Sequence, residues 1–580
     1  MSDRVGRRSI IALLTLLILM FATAAALRVA WLTADPPTQP ALGIIWHDEG
    51  AWIHNARNRA LWNVWRTDEW NPVFIAPVFT GLEYAAFRVF GVGTWQARTV
   101  PVASGLVAVA VLMAGLSGVA GRRAAIVGGC LLATNYVFVM WNRAALMEST
   151  MTTFIVAGWA AYALAQRRPG IGFIAGIAAV LAWFTKAAAI FFVAALGVES
   201  VLVLAVAGSS TVRRLIPLQA PTPTAVRAAR WTLGGMIAAA VVGLLAFVLP
   251  HWQEYQFYNW QMAVTRKPDY SIDAVLVRAS WLPVVHDYFT RMWLVLTTAS
   301  LGLIVIVARW RASRPAERLL VLWIVLGVAE LVLHDSGNER RYVMFIPALV
   351  ALAALVLGGS RLVASPGEVQ RAESRWFALP FMLLMAYLVW GGVLRLVFLF
   401  EIRSSVRLSA LLSVAGVALV VWRWHALSSW LSRQRITVAG ATLLTALVVG
   451  SDLAQYFQWA RQRTFENYEA SRTVGRALPP GTLVHGKLAN GLSLENRIRP
   501  IFVGRGFGNY EDRQHRDDVR YILTYIAPSV GYESQRANPV IQDVLDAYPN
   551  RTTIMTFDVA ETAAGDDRAA LIDKFGREKD

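Results

Sequence analysis

Two carboxylates arrive together at His47-Asp48-Glu49-Gly50, just after the first long apolar run. An acidic pair beside a membrane suits proton removal from an acceptor hydroxyl. More ionisable residues fall at the ends of later apolar runs: Arg143 and Glu148, then Lys186, then His334, Asp335, Glu339, Arg340, Arg341 and Tyr342. Ionisable groups near membrane depth are costly and are default functional candidates. Opposite charges grouped there suit a phosphate held by Lys or Arg, next to a carboxylate that takes a proton. Each has a plainer reading. Asp48 can cap a helix from Glu49 to about Arg66. Arg143 and Glu148 can pair across a loop, Lys186 can snorkel, and His334 and Asp335 can be loop polarity. Asp68-Glu69 reads as a solvated turn and His251 as a loop residue.

The elements that must hold these groups are membrane helices. The chain has 580 residues, 56% of them hydrophobic and only 16% charged. Its mean hydropathy is +0.46, which marks a polytopic membrane protein. Roughly thirteen apolar runs approach the ~20 residues a spanning helix needs. They fall near 9–32, 99–119, 124–141, 146–165, 170–185, 187–207, 231–250, 291–308, 317–333, 342–360, 376–400, 408–424 and 436–457. The first resembles a signal peptide, with Ala24-Ala25-Ala26 as a cleavage-like site, but the span continues through Leu32 and reads as an uncleaved anchor.

The net charge of +17 sits in alternate short connections, such as Arg122-Arg123, Arg167-Arg168, Arg213-Arg214, Arg309-Arg311 and Arg433-Arg435. This is the positive-inside pattern and argues against nucleic-acid binding. It puts the N-terminus in the cytoplasm and the C-terminal segment outside. Arg340-Arg341 then lies on the outer side, against the trend, which favours anion binding. Cys130 is the single cysteine, so a disulfide framework within the chain is excluded.

The outer side carries two long loops and a tail. Loop 33–98 holds Trp46, Trp52, Trp62, Trp65, Trp70 and Trp95, and its stretches 50–66 and 74–90 read as interfacial helices. Loop 251–290 is also aromatic-rich. The tail, 461–580, reads as a small α/β domain, against a membrane domain of 1–460. Strands are expected at Thr482–His485, Pro500–Val503, Val519–Tyr525 and Thr552–Phe557, and helices near Glu466–Ala477 and Val540–Tyr548. Gly504-Arg505-Gly506-Phe507-Gly508 leads into no obvious helix and reads as a loop rather than a phosphate cradle.

In this order and on one side of the membrane, the motifs resemble the GT-C class of membrane glycosyltransferases. More narrowly they resemble the bacterial relatives of protein O-mannosyltransferase and of lipid A aminoarabinose transferase. The residues that carry the likeness are His47-Asp48-Glu49-Gly50, Trp70-Asn71-Pro72-Val73-Phe74, the segment from Asn142-Arg143 to Glu148, Phe184-Thr185-Lys186, and Arg340-Arg341-Tyr342 through Pro347. The likeness covers roughly residues 10–200 well and 320–350 less closely. Where aminoarabinose transferases carry Glu-Lys before the proline, this chain has Trp70-Asn71.

The resemblance implies a polytopic α-helical GT-C fold of about thirteen spans in the plasma (inner) membrane, with a small C-terminal α/β domain outside. It implies transfer of a single sugar from a polyprenyl-phosphate donor to an acceptor hydroxyl or phosphate on the outer side, with inversion. Asp48 would act as base, assisted by Glu49 and Glu148. Lys186, Arg340, Arg341, Tyr342 and Arg143 would bind the donor phosphate. A divalent cation, Mg or Mn, would sit at Asp48 and Glu148, and a nucleotide cofactor is not called for. The acceptor stays open among protein, lipid A, polysaccharide and glycolipid. A transporter or flippase of a lipid-linked sugar is the main alternative; it would place charges near mid-span and show inverted repeats. A non-catalytic scaffold would tolerate loss of Asp48, and an oligosaccharide-transferring enzyme would be expected to carry a larger outer domain.

Overall fold

A backbone in hydrocarbon must bond to itself, so the apolar runs can only become helices. The computed structural model describes residues 2–37, 44–67, 69–216, 218–260, 281–334, 339–358, 402–423, 437–502, 514–526, 546–560 and 567–576, with isolated positions in 379–386. The chain opens with α1 (Ser2–Val29), then α2 (His47–Trp52), α3 (His54–Trp62) and α4 (Pro77–Phe90) in the first loop. Next come α5 (Thr94–Ala120), α6 (Arg122–Thr134), α7 (Tyr136–Trp141), α8 (Met147–Ala165), α9 (Ile171–Thr185), α10 (Ile190–Gly208), α11 (Ser210–Leu215) and α12 (Pro223–Gly243). Later helices span Trp281–Ala308, Pro315–His334, Ile346–Gly358, Ile402–Trp422 and Val438–Gln462.

Among the described residues, 6 helices are long and apolar enough to cross a membrane, and shorter apolar ones run at Ile171–Thr185, Arg291–Val307 and Ala410–Leu419. The run expected at 376–400 lies outside the described residues apart from isolated positions. So do Asp335, Asp68, Gly504–Gly508 and residues 261–280 of loop 251–290.

Three local departures from the sequence expectations have physical reasons. The run 124–141 is not one helix: it breaks at Asn135 (φ −50, ψ 113), whose side chain accepts from the Phe138 N–H and starts α7. The break frees the Tyr136 N–H, which donates to Asp452 of Val438–Gln462 at 3.2 Å. The first-loop helix begins at His47 rather than Glu49, with Trp46 at its N-cap and no side-chain cap. Asp48 therefore sits inside the first helical turn and is not the cap. That helix also yields at Ile53, so the stretch 50–66 is two short helices ending at Trp62.

Helices α5, α8, α9 and α12 pack side by side. At Gly235 of α12 a Cβ would fall 2.1 Å from the Phe173 carbonyl oxygen, so only glycine allows this backbone contact with α9. Because α8 and α9 are joined by a short connection they run antiparallel, which brings the start of α8 level with the end of α9.

Helix Glu466–Ala477 and a sheet follow the last long apolar helix. The strands are β1 (Leu483–His485), β2 (Arg499–Ile501), β3 (Tyr521–Tyr525), β4 (Thr552–Asp558) and β5 (Arg568–Asp573), in order β2-β1-β3-β5-β4. β1 is parallel to β2 and β3, whereas β5 is antiparallel to β3 and β4. β5, rich in alanine, was not among the expected strands. Most of the helix expected at Val540–Tyr548 lies outside the described residues.

His485, at the end of β1, is buried, and its Nε2 has no partner. Burial, then the charges of Lys574 and Arg516, push its pKa down from 6.5 to about 3. Between these values the unfolded chain binds a proton that the folded chain refuses, so stability falls as pH drops from about 6.5 towards 3. His485→Leu is expected to flatten this part of the dependence. Thermal unfolding of both proteins across that window checks it; an unchanged slope would assign the acid sensitivity elsewhere.

Candidate functional site

The site grows from the short helix α2. Its first turn presents Asp48, whose side chain is 13% exposed, while His47, Glu49 and Gly50 are buried. Asp48 Oδ2 accepts from the Arg340 guanidinium at 2.6 Å, and its Oδ1 lies 3.7 Å from His47 Nε2. Arg340 comes from a 3-10 turn, Glu339–Phe345, that leads into the helix Ile346–Gly358. Trp323 Nε1 fixes the turn by donating to the Met344 carbonyl at 3.1 Å. Residues 292 apart in sequence thus meet through a charge-assisted bond.

Glu148 and Lys186 meet at the same level. Glu148 lies in the first turn of α8, and Lys186 follows α9 in an extended conformation (φ −158, ψ 126) that frees its side chain from the helix. Lys186 Nζ donates to Glu148 Oε1. The other carboxylate oxygen, Oε2, is buried with no hydrogen-bond partner. Arg340 and Arg341 lie close enough for their charges to act on Lys186. Arg341 also donates to Glu330 Oε1 at 2.8 Å, and the Tyr342 ring meets Phe345 at a centroid distance of 6.5 Å. The structure therefore brings Asp48, Glu148, Lys186, Arg340 and Arg341 into one charged cluster.

Two of the site residues expected from sequence have partners of a different kind. Glu49 takes a bidentate pair from Arg98, Nε at 2.9 Å and Nη2 at 2.7 Å, and also accepts from the Ala145 N–H at 2.7 Å. Arg98 ties this carboxylate to the chain by donating to the Leu32 and Ala34 carbonyls, both at 2.7 Å. Arg143 donates to the carbonyls of Leu27, Arg28 and Trp31 at the end of α1 and lies 4.6 Å over the Trp459 ring. Cations suit helix C-termini, so Arg143 fastens α1 rather than facing the cluster.

Sequence reasoning did not find Arg98 or Glu83. Glu83 is fully buried on α4, neither of its oxygens has a partner, and burial followed by the charge of Glu49 pushes its carboxyl pKa well up. The available signal was position: Thr80, Glu83 and Phe87 share one face of α4, so Glu83 interrupts a buried stripe.

Among the described residues, no three His, Cys, Asp or Glu stand where they could hold a metal ion. Asp48 and Glu148, the expected metal ligands, each face a cationic side chain. This donor set does not fit a metal ion as it stands, and no chemical step is derived through one.

An apolar cavity of about 530 Å³ opens between α4, α9 and α12. Val78, Phe173, Phe184 and Phe247 line it, and Phe184 precedes Lys186 by two positions.

Comparison with known proteins bears on the fold. Residues 76–222 match the family model of dolichyl-phosphate-mannose-protein mannosyltransferase. The chain is similar in fold to ArnT from Cupriavidus metallidurans in the apo state, with a TM-score of 0.52, 17% identity and coverage of 97% of this chain and 98% of that one. The same protein bound to undecaprenyl phosphate aligns with a TM-score of 0.48 at 17% identity, over 96% and 97% of the two chains. The Archaeoglobus fulgidus oligosaccharyltransferase aligns with a TM-score of 0.41 at 13% identity, over 95% of this chain and 74% of that one. No curated protein sequence matches the chain. The fold resembles that of ArnT over nearly the whole of both chains.

Proposed function

We propose that this chain, with its GT-C fold and its match to the mannosyltransferase family model, moves one sugar from a polyprenyl-phosphate donor to an acceptor hydroxyl at the outer membrane surface. The observation that carries this reading is the cluster itself: carboxylates Asp48 and Glu148 stand among Lys186, Arg340 and Arg341. A phosphate on a long apolar chain needs just such neighbours.

In the proposed reaction the acceptor oxygen attacks the anomeric carbon from the face opposite the phosphate. The carbon–oxygen bond to phosphate breaks, polyprenyl phosphate leaves, and the anomeric centre inverts. The acceptor proton goes to Asp48. Lys186 and Arg341 stabilise the phosphate as its charge grows, with Arg340 and Tyr342 beside them. Phosphate leaves without a general acid, so twin-carboxylate glycosidase chemistry is unnecessary. Glu148 Oε2, buried and unpartnered, is placed to accept a sugar hydroxyl. Glu49 and Arg143 serve as supports in this reading, because each is committed to protein groups.

The orientation proposed with this function puts the N-terminus in the cytoplasm of a plasma-membrane protein. The membrane domain, 1–460, ends in an extracytoplasmic α/β domain, 461–580. The test is release of polyprenyl phosphate by purified protein in lipid, with a panel of polyprenyl-phosphate sugars and a crude acceptor extract. Donor-specific release is the expected result; binding without turnover would favour a transporter.

Lys186→Met removes one charge-assisted bond to the phosphate, worth about 1.5–3 kcal/mol. Polyprenyl-phosphate affinity is expected to fall about tenfold to a hundredfold. Equilibrium binding in detergent measures it, and unchanged affinity would remove Lys186 from the phosphate site.

A further inference from the structure

We infer that the turn Lys487–Gly491, carried by the C-terminal sheet, is a positioning element that seats α2 and so holds Asp48 against Arg340. Its catalytic consequence rests on the transfer reading; the seating itself does not.

Contacts at five positions converge on α2 and α3 from this region. Trp46, directly before α2, is buried in the same apolar core as Val474, Val484, Leu488 and Leu492. Gly50 lies so close to the turn that a Cβ there would fall 1.9 Å from the Asn490 carbonyl oxygen. Reciprocally, a Cβ on Gly491 would fall 2.7 Å from His47 Cβ. The Asn490 side-chain amide is 3.2 Å from His54 Nδ1. Arg57, fully buried in α3, donates to the carbonyls of Ser493 and Asn496 at 3.0 Å and of Ile498 at 3.1 Å.

These contacts bracket Asp48 at positions 46, 47, 50, 54 and 57. A six-residue helix has too few internal bonds to hold its own place. The turn therefore supplies what α2 lacks. Three further bonds fix the same region to the membrane domain: Thr94 N–H donates to Glu495 Oε1 at 2.6 Å, and Asp35 accepts from the N–H groups of Glu466 and Asn467, starting helix Glu466–Ala477.

The experiment uses the full chain in lipid. Ala51, buried in α2, is changed to Cys in a Cys130→Ser background, and its alkylation rate reports whether α2 stays seated. Gly50→Ala and Arg57→Ala are expected to raise that rate about tenfold or more through local opening. Arg57→Lys, which keeps the charge but loses the planar fork, is expected to lie between. Arg472→Ala, on an exposed pair of helix Glu466–Ala477, leaves both rate and turnover unchanged.

In the Ala51 parent, turnover of the seating variants is expected to fall about a hundredfold, the cost of a small misplacement, with donor KM unchanged. Alkylation that stays slow in Gly50→Ala, Arg57→Ala and Arg57→Lys alike overturns the inference. So does fast alkylation with full turnover, because α2 would then need no seat. If the wild type turns over no donor, the transfer reading fails, while the alkylation rates still decide the seating.

Discussion

Asp48→Asn is expected to lower sugar-transfer turnover by about 10²–10⁴-fold, the range a positioned general base contributes. The amide keeps the carboxylate's shape and still offers an oxygen to Arg340, so the fold and donor affinity should hold. What it loses is the capacity to take the acceptor's proton. Release of polyprenyl phosphate, measured beside donor binding, separates the two. Full turnover in Asp48→Asn would move the base elsewhere, and Glu148, with its unpartnered buried oxygen, would be next to test. Loss of donor binding with loss of turnover would instead make Asp48 a support for Arg340.

The largest effect on stability is expected at Glu49. Both members of the Glu49–Arg98 pair are 5% exposed, so neither charge has water to fall back on. Truncating one partner of a buried pair leaves the other uncompensated, at a cost of about 3–5 kcal/mol. Glu49→Ala and Arg98→Ala should each lower Tm steeply and abolish turnover. The double variant Glu49→Gln with Arg98→Gln should recover part of the loss, because it removes the stranded charge. A double variant as unstable as the sum of the two singles would show that the pair is not coupled. The contrast with Asp48→Asn is diagnostic: neighbouring carboxylates on one helical turn, one affecting rate and the other affecting folding.

That contrast shows how far the sequence could be read. The acidic motif, the Glu148 and Lys186 positions and the Arg340-Arg341 pair were legible because each interrupts or ends an apolar run. Their common level follows from helices joined by short connections. The difference in partners between Asp48 and Glu49 was not legible. It depends on Arg98, a residue 49 positions away whose local context is unremarkable. The partners of Arg143 were not legible for the same reason, since they are backbone carbonyls at the end of α1, and carbonyls carry no sequence signal. The helix break at Asn135 had a visible cue, a polar Thr134-Asn135 step within an apolar run, but Asp452, which accepts the freed Tyr136 N–H, lies 316 residues beyond Tyr136. β5 was missed because alanine favours strands weakly, and its burial comes from pairing on both sides.

The bond from Arg57 to the Ser493 carbonyl joins residues 436 apart. A ribosome builds the chain from the amino end, and segments fold as they emerge. The acidic motif is therefore synthesised well before its seat. Until residues 487–498 emerge, the nascent chain carries Asp48 without the contacts that surround α2 in the folded protein. On the proposed seating, a ribosome that stalls before these residues are made leaves an inserted polypeptide whose α2 has no seat.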